Sequence, residues 1–169
     1  MAAALLAVPF VPAAGSADPR GSLSPASALQ TSLVGQVNAV RARHGLSRLR
    51  QSTALDAAAN GHSVEMARLG YFSHNSANGA SFSGRIARYY RPGGYRAWSV
   101  GENLLWASPE IGAARAVRLW LSSPGHRAIL LSSRWREVGL AAIHSTSAPG
   151  VYAGSPVTVV TADFGARSR

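Results

Sequence analysis

Apolar side chains recur at helical spacing in two stretches of the first half of the chain. In the first stretch they follow one another at steps of four, four and three residues: Leu29, Leu33, Val37 and Val40. This spacing lines one face of a helix that begins near Ser27 and ends at Gly45. In the second stretch the buried stripe consists of Leu55, Ala59, His62, Met66 and Leu69. Ser52 or Thr53 can cap this second helix, and Gly70 ends it.

The second half of the chain favours strands, with short helices before and between them. Strand composition is found in three stretches: Trp98 to Trp106, Trp135 to Ile143 and Val151 to Phe164. Short helices are predicted over Phe82 to Tyr90, from Ser108-Pro109-Glu110 onward, and from Ser123-Pro124 onward. Helices combined with an antiparallel sheet predict an α+β domain.

Composition limits the class of protein. A chain of 169 residues with 47% apolar content suits a single domain with one hydrophobic core. The net charge is +10, from 17 basic and 7 acidic residues, and every basic residue is arginine. Such a charge favours anionic surroundings. Because the arginines are scattered, we expect a diffuse basic surface and no nucleic-acid-binding site. The lack of cysteine excludes disulfides and thiolate metal or redox sites.

The first residues resemble a secretory leader. Residues 1–17 are apolar and uncharged and end in Gly15-Ser16-Ala17, which resembles a cleavage site, although no basic segment precedes the apolar part. We therefore predict a secreted or envelope-associated protein. The apolar part is too short to span a bilayer, so no transmembrane span is predicted. The rest of the chain is divided into a linker over residues 18–28, a folded domain over 29–166 and a tail over 167–169. We expect a monomer.

One acidic side chain in an apolar run points to a functional site. Glu102 lies in Ser99-Val100-Gly101-Glu102-Asn103-Leu104-Leu105-Trp106, and a buried carboxylate requires a group that pairs with it or ligates it. His74 and His126, each at a turn of the chain, are the candidate partners. His126 falls in the first turn of a helix, where the dipole disfavours protonation, and a neutral imidazole is the form that ligates metal.

Other ionisable residues receive more ordinary interpretations. His62, among apolar neighbours, is predicted to be a hydrogen-bonded core histidine. Glu65 and Glu137 are interpreted as solvated surface charges. Asp163, in the last strand, is a candidate supporting partner of the Glu102 site.

Several motifs, taken in order, resemble the CAP superfamily, which comprises cysteine-rich secretory proteins, antigen-5-like venom proteins and plant pathogenesis-related proteins. The motifs are Asn38-Ala39-Val40-Arg41 with Gly45-Leu46, Phe72-Ser73-His74, Gly101-Glu102-Asn103, Trp120 followed by Ser123-Pro124-Gly125-His126-Arg127, Val138-Gly139, and Asp163-Phe164-Gly165. The similarity covers Ser32 to Ala166 and is greatest to the cysteine-free bacterial branch. It implies a three-layer α-β-α sandwich with a small central antiparallel sheet.

The resemblance also implies a cleft that binds a divalent metal, zinc above all, through two histidines and neighbouring acids. His74, Glu102 and His126 match three of the four cleft positions. The fourth, a second glutamate about one turn after the helix tryptophan, is replaced by Leu121-Ser122-Ser123. Two nitrogens and one carboxylate are the protein ligands of an open zinc site with water in the fourth position.

Three functions remain open from the sequence. The first is an exported binding module whose His/Glu cleft binds a divalent metal, or lies beside a groove for a lipid, a peptide or an envelope glycan, or both; its partner would be a lipid, a peptide or an anionic envelope component. The second is a metal-dependent hydrolase of peptide or ester bonds, for which the sequence offers no evident general base. The third is a structural role, in which the polar residues only hydrogen-bond one another.

Overall fold

The structure is a computed structural model that describes residues 21–169. The predicted leader lies outside the described residues. The chain forms a three-layer α-β-α sandwich around a small, largely antiparallel sheet, as the resemblance implied. A helix over Thr53–Leu69 covers one face of the sheet, and the helices Ser27–Arg43, Ala113–Ser122 and Pro124–Leu130 cover the other. Within the described residues, no helix is both long enough and apolar enough to cross a membrane.

The two helices predicted in the first half are confirmed. They are α1, Ser27–Arg43, and α2, Thr53–Leu69. The predicted apolar stripes are largely buried, and His62 is fully buried within α2. Gly70 ends α2 with φ of 73°, and a Cβ there would lie 2.6 Å from the backbone of Pro149. Only glycine suits both the left-handed conformation and the close contact.

Five strands form the sheet: β1, Leu23–Pro25; β2, Arg50–Gln51; β3, Ala97–Ala107; β4, Glu137–Ser145; and β5, Val157–Ser168. The antiparallel order is β1-β4-β5-β3, and β2 pairs in parallel with the start of β4. Strand β3 pairs with β5 along its whole length and forms one edge of the sheet. Its other edge is therefore available to form one wall of a cleft.

The folded domain extends beyond both predicted boundaries. Part of the predicted linker, residues 18–28, is instead strand β1, which pairs with the end of β4, and Ser27 begins α1. Part of the predicted tail belongs to β5, because Ser168 pairs with Ala97. Both segments are too short to show an alternating pattern, so only cross-strand pairing places them in the sheet.

The remaining helices are α3, Phe82–Ala87; α4, Ala113–Ser122; and α5, Pro124–Leu130. The predicted helix start at Ser108 is wrong, since α4 begins five residues later after Gly112. Tertiary hydrogen bonds hold the intervening segment against β5: Ser108 Oγ donates to the Pro156 carbonyl (2.7 Å), and Thr158 Oγ1 donates to the Pro109 carbonyl (3.0 Å). These bonds outweigh the local capping signal.

Two predicted strand starts also shift. Trp135 precedes β4, because its indole Nε1 donates to the Ile129 carbonyl at 2.8 Å and its ring packs against Gly101. Gly150–Tyr152 forms a short 3-10 turn, and Tyr152 Oη donates to the Tyr71 carbonyl at 2.9 Å. In both places a tertiary contact fixes an aromatic ring before the strand begins. The pattern of strand-forming residues does not reveal such a contact, so it predicts a strand start that is too early.

Candidate functional site

Glu102 lies in the middle of edge strand β3, with its side chain 1% exposed. Its Oε1 accepts a hydrogen bond from Nδ1 of His74 at 2.8 Å, and its Oε2 forms an ion pair with Nη2 of Arg85. The buried carboxylate therefore has a partner on each oxygen, as its burial requires. We call Glu102, His74 and Arg85 the Glu102 cluster.

Arg85 is the member of the cluster that the sequence did not single out. It comes from the short helix α3, is buried, and donates from Nη1 to the His74 carbonyl at 3.0 Å as well as to Glu102. It thus joins the strand to the loop that carries His74. A signal was present: Arg85 follows Phe82 by three residues and precedes Ile86, which places it on the inward face of α3.

The loop that carries His74 is held at two points. Ser73 accepts a hydrogen bond at its carbonyl from Nε2 of His62 (2.9 Å), and the Tyr71 carbonyl accepts one from Tyr152. The His74 side chain is half exposed. Because a carboxylate only accepts, Nδ1 of His74 carries the proton, and Nε2 of the neutral ring is then an acceptor. A fixed imidazole with an acceptor nitrogen can bind a hydrogen-bond donor or a metal.

His126 lies on the other side of the β3 edge. Consecutive residues of a strand point to opposite faces, so Glu102 faces α2 and α3 while Asn103 faces α5. Asn103 Nδ2 donates to the His126 carbonyl at 3.0 Å, which fixes the start of α5 against the strand. Burial and the neighbouring His74 lower the pKa of His126. The two histidines therefore flank one strand edge, and the lowered pKa favours the neutral form of His126.

The zinc site implied by the resemblance fits these residues only in part. Both oxygens of Glu102 are engaged, one by a buried guanidinium, and a divalent cation beside Arg85 would meet like charge. Over residues 21–169, no three histidine, aspartate or glutamate side chains are grouped so as to hold an ion. The complete set His74, Glu102 and His126 does not fit as ligands in this arrangement, whereas Glu102 fits as the partner that orients His74. Metal binding stays a prediction.

Asp163 stands directly opposite Glu102 on β5. It is fully buried, and burial together with the negative charge of Glu102 raises its pKa well above the usual aspartate range. In its protonated form Asp163 can donate a hydrogen bond to Glu102. The register therefore places Asp163 beside the Glu102 cluster, in keeping with the supporting position inferred from the sequence.

Replacement of Asp163 by asparagine is expected to flatten the dependence of stability on pH. The raised pKa means that protonated Asp163 contributes stability that is fully present below the ordinary aspartate pKa of 3.8 and is lost as pH rises through the folded-state value. Asparagine cannot ionise. Urea unfolding across a pH series should show Asp163→Asn losing less stability than the wild type toward neutral pH. Glu110→Gln, at an exposed acid, is the control; parallel wild-type and Asp163→Asn profiles would contradict the assignment.

Of the two acids interpreted as surface charges, Glu137 is buried, whereas the Glu65 side chain is 27% exposed and hydrogen-bonded. Glu137 is 6% exposed; it accepts a hydrogen bond from Tyr90 and pairs with Arg50 at 2.6 Å. Glu65 accepts a hydrogen bond from the backbone N–H of Ala77 (3.2 Å) and lies 3.5 Å from Nδ1 of His62. Glu137 is covered by contacts from segments far away in the chain, and the spacing along its own strand does not reveal them.

The fold and its histidine-flanked strand edge define a class of small α-β-α domains, and comparison with known proteins identifies the family. Residues 34–164 match the cysteine-rich secretory protein family, CAP. The chain belongs to this family. The family assignment made from the motifs is thereby confirmed.

Three bacterial proteins are similar to the chain. An outer surface protein of Borrelia burgdorferi has a TM-score of 0.70 and 20% identity, over 88% of this chain and 99% of that one. An extracellular protein containing an SCP domain from Bacillus anthracis has a TM-score of 0.64 and 26% identity, over 85% of this chain and 41% of that one. The "Uncharacterized membrane protein YlbC" of Bacillus subtilis is 34% identical over 103 residues, which is 61% of this chain and 28% of the relative.

Proposed function

We propose that this protein is an extracytoplasmic module that binds an amphipathic lipid, with the acyl chain on an exposed apolar surface and the head group at His74. The observation that carries the proposal is the position of four exposed apolar side chains around the His74 loop. These residues, here called the apolar patch, are Leu69, Phe72, Trp106 and Val151. Exposed apolar groups that lie together mark a binding surface more often than isolated ones.

Backbone and ring contacts bring the apolar patch together. Leu69 precedes Gly70, whose carbonyl accepts a hydrogen bond from the Val151 N–H at 2.9 Å. Phe72 follows Tyr71, whose carbonyl accepts a hydrogen bond from the Tyr152 hydroxyl. The Tyr152 ring meets the Trp106 ring edge-on, with the ring centres 5.2 Å apart. Four separate elements thus supply one surface, and their exposed fractions run from 38% to 60%.

The head group would lie at the half-exposed His74 ring, two residues after Phe72. When the ring is neutral, its free Nε2 accepts a hydrogen bond from a hydroxyl or a protonated acid. When the ring is protonated, Nε2 donates to an ionised carboxylate or phosphate head group. The net charge of +10 favours anionic ligands further. Export rests on the leader-like residues 1–17 and on the outer surface and extracellular proteins that share the fold.

The test is a titration of purified protein with a dansyl-labelled fatty acid. Burial of a leucine side chain contributes about 1.5–3 kcal/mol, so Leu69→Ser should weaken binding by about tenfold or more. Leu119→Ser is the matched control, because Leu119 is also an exposed helix leucine, 42% exposed, on α4 outside the patch. Equal affinities of the two variants would exclude the apolar patch as the acyl site.

The same titration addresses the other candidates. Repeating it with added zinc and with a chelator measures whether a metal takes part, and His74→Ala reports on the head-group contact. A purely structural cluster would lose thermal stability in His74→Ala with no change in fatty-acid affinity. The geometry does not favour hydrolysis, because Glu102 is buried and hydrogen-bonded and Asp163 is fully buried, whereas a general base has to reach the water it activates.

A further inference from the structure

A cavity of about 410 Å³ lies at the end of β3 and β5, beyond Gly165, where β4 no longer pairs with β5. Its floor is formed by two cross-strand pairs, Ala97 with Ser168 and Ser99 with Ala166, and Arg134 and Arg136 line it from the loop before β4. We call it the arginine pocket. Ser99 is three residues from Glu102, so the two face opposite sides of β3, and the pocket is separate from the Glu102 cluster.

The guanidinium of Arg136 is held in place before any ligand arrives. Its Nη1 donates to the backbone carbonyls of Ser133 at 2.6 Å and Trp135 at 3.0 Å. Its Nε and Nη2 are not used in these bonds and remain as donors. Arg134 lies over the Trp135 ring, 5.9 Å from its centre, and Arg167 borders the pocket with its guanidinium stacked on Tyr90 at 3.8 Å. Side chains that are already held in place lose little conformational entropy when a ligand binds.

Two of the three arginines that line the pocket, Arg134 and Arg136, are not paired with an acid, whereas Nη2 of Arg167 lies 3.6 Å from Oε2 of Glu137. Among residues 21–169, neither Arg134 nor Arg136 has a carboxylate oxygen within 4.0 Å. The acid next in sequence, Glu137, is already bound by Arg50 and Tyr90. The other described acids are engaged or lie outside the pocket lining. The pocket therefore attracts an anion.

We infer that the arginine pocket binds the phosphoryl group of a small organic phosphate. A guanidinium group can donate two parallel hydrogen bonds to two oxygens of one phosphate. This pairing fixes the orientation of the phosphate and also neutralises part of its charge. The cavity is larger than a phosphate ion, and its alanine and serine floor leaves room for a small polyol such as glycerol beside the phosphoryl group. This site does not depend on the apolar patch or on His74.

The test is calorimetric titration of the full chain with glycerol 3-phosphate, with glycerol as the uncharged comparison, at low salt. The double variant Arg134→Gln/Arg136→Gln removes both pocket charges. Arg115→Gln/Arg118→Gln removes two exposed arginines of α4 and has the same net charge, so it is the matched control. We expect the pocket variant to lose at least tenfold in affinity and the control to change less than twofold.

Two further arms separate the source of the phosphate and the effect of folding. Co-sedimentation with phosphatidylglycerol vesicles shows whether a lipid head group reaches the pocket. If the pocket variant sediments with the vesicles less than the control does, the phosphate comes from a lipid. If both variants sediment equally and the pocket variant has lost glycerol 3-phosphate binding, the phosphate comes from a soluble molecule. Arg134→Gln alone, which leaves the bonds of Arg136 intact, should lose affinity with an unchanged melting temperature. Equal losses in the two double variants, or no glycerol 3-phosphate binding by the wild type, would overturn the inference.

Discussion

Replacement of Arg85 by methionine is expected to lower the free energy of unfolding by about 3–5 kcal/mol, the usual cost of leaving a buried charge without its partner. Methionine keeps much of the volume but removes the ion pair to Glu102 and the hydrogen bond to the His74 carbonyl. Glu102, 1% exposed, would then keep His74 as its one remaining partner in the Glu102 cluster. Urea unfolding at neutral pH measures the loss.

Two further variants show whether the loss belongs to the ion pair. Arg88→Met removes an exposed arginine at the end of the same helix and should change stability by less than about 0.5 kcal/mol. Combining Arg85→Met with Glu102→Leu removes both charges, and an apolar pair in place of a buried ion pair is often tolerated. The double variant should therefore be more stable than Arg85→Met. A double variant with the summed loss of the two single ones would contradict the pairing.

Replacement of Gly139 by alanine is expected to cost about 3 kcal/mol or to prevent folding, because overpacking costs about 1–3 kcal/mol even where neighbours yield. A Cβ at Gly139 would lie 2.1 Å from the carbonyl carbon of Leu55 and 2.2 Å from the amide nitrogen of Asp56. Both are backbone atoms, so α2 as a whole would have to move off the sheet. That shift would also break the hydrogen bond from the Leu140 N–H to Asp56 Oδ1, now 2.8 Å.

A second glycine provides a control of opposite sign. Gly35 lies within α1, and a Cβ there meets no atom within 4 Å. Gly35→Ala should therefore stabilise the protein by about 0.5–1 kcal/mol, the difference in helix propensity. Thermal and urea unfolding of both variants measure the two effects. A Gly139→Ala protein as stable as the wild type would mean that α2 is not packed against β4 at this distance.

Much of the fold was predictable because it depends on contacts close in sequence. Helices α1 and α2 follow from apolar spacing and from Gly70, whose positive φ ends α2. The start of α5 follows from Pro124 in its first turn. Hydrogen bonds within a helix join residues four apart, so a local pattern is enough to record them.

The sequence predicted that the site must supply partners for a buried acid, but it identified only some of those partners. An acid inside an apolar strand requires partners, and His74 is one of them. The second partner, Arg85, lies on a helix of six residues, and its spacing from Phe82 and Ile86 indicates an inward face without showing which acid it meets. Asp163 belongs beside Glu102 only through the register of β3 and β5, which sets residues 61 positions apart opposite each other.

The sequence by itself determined the family, the two long helices and the requirement that Glu102 be paired, because each depends on residue type and short spacing. The tertiary structure alone decided that Arg85 meets this requirement, that β1 and the last residues join the sheet, and that Glu137 is buried. These outcomes arise from contacts between segments far apart in the chain. Their free energy depends on packing and register, and no local pattern of apolar and polar residues records either.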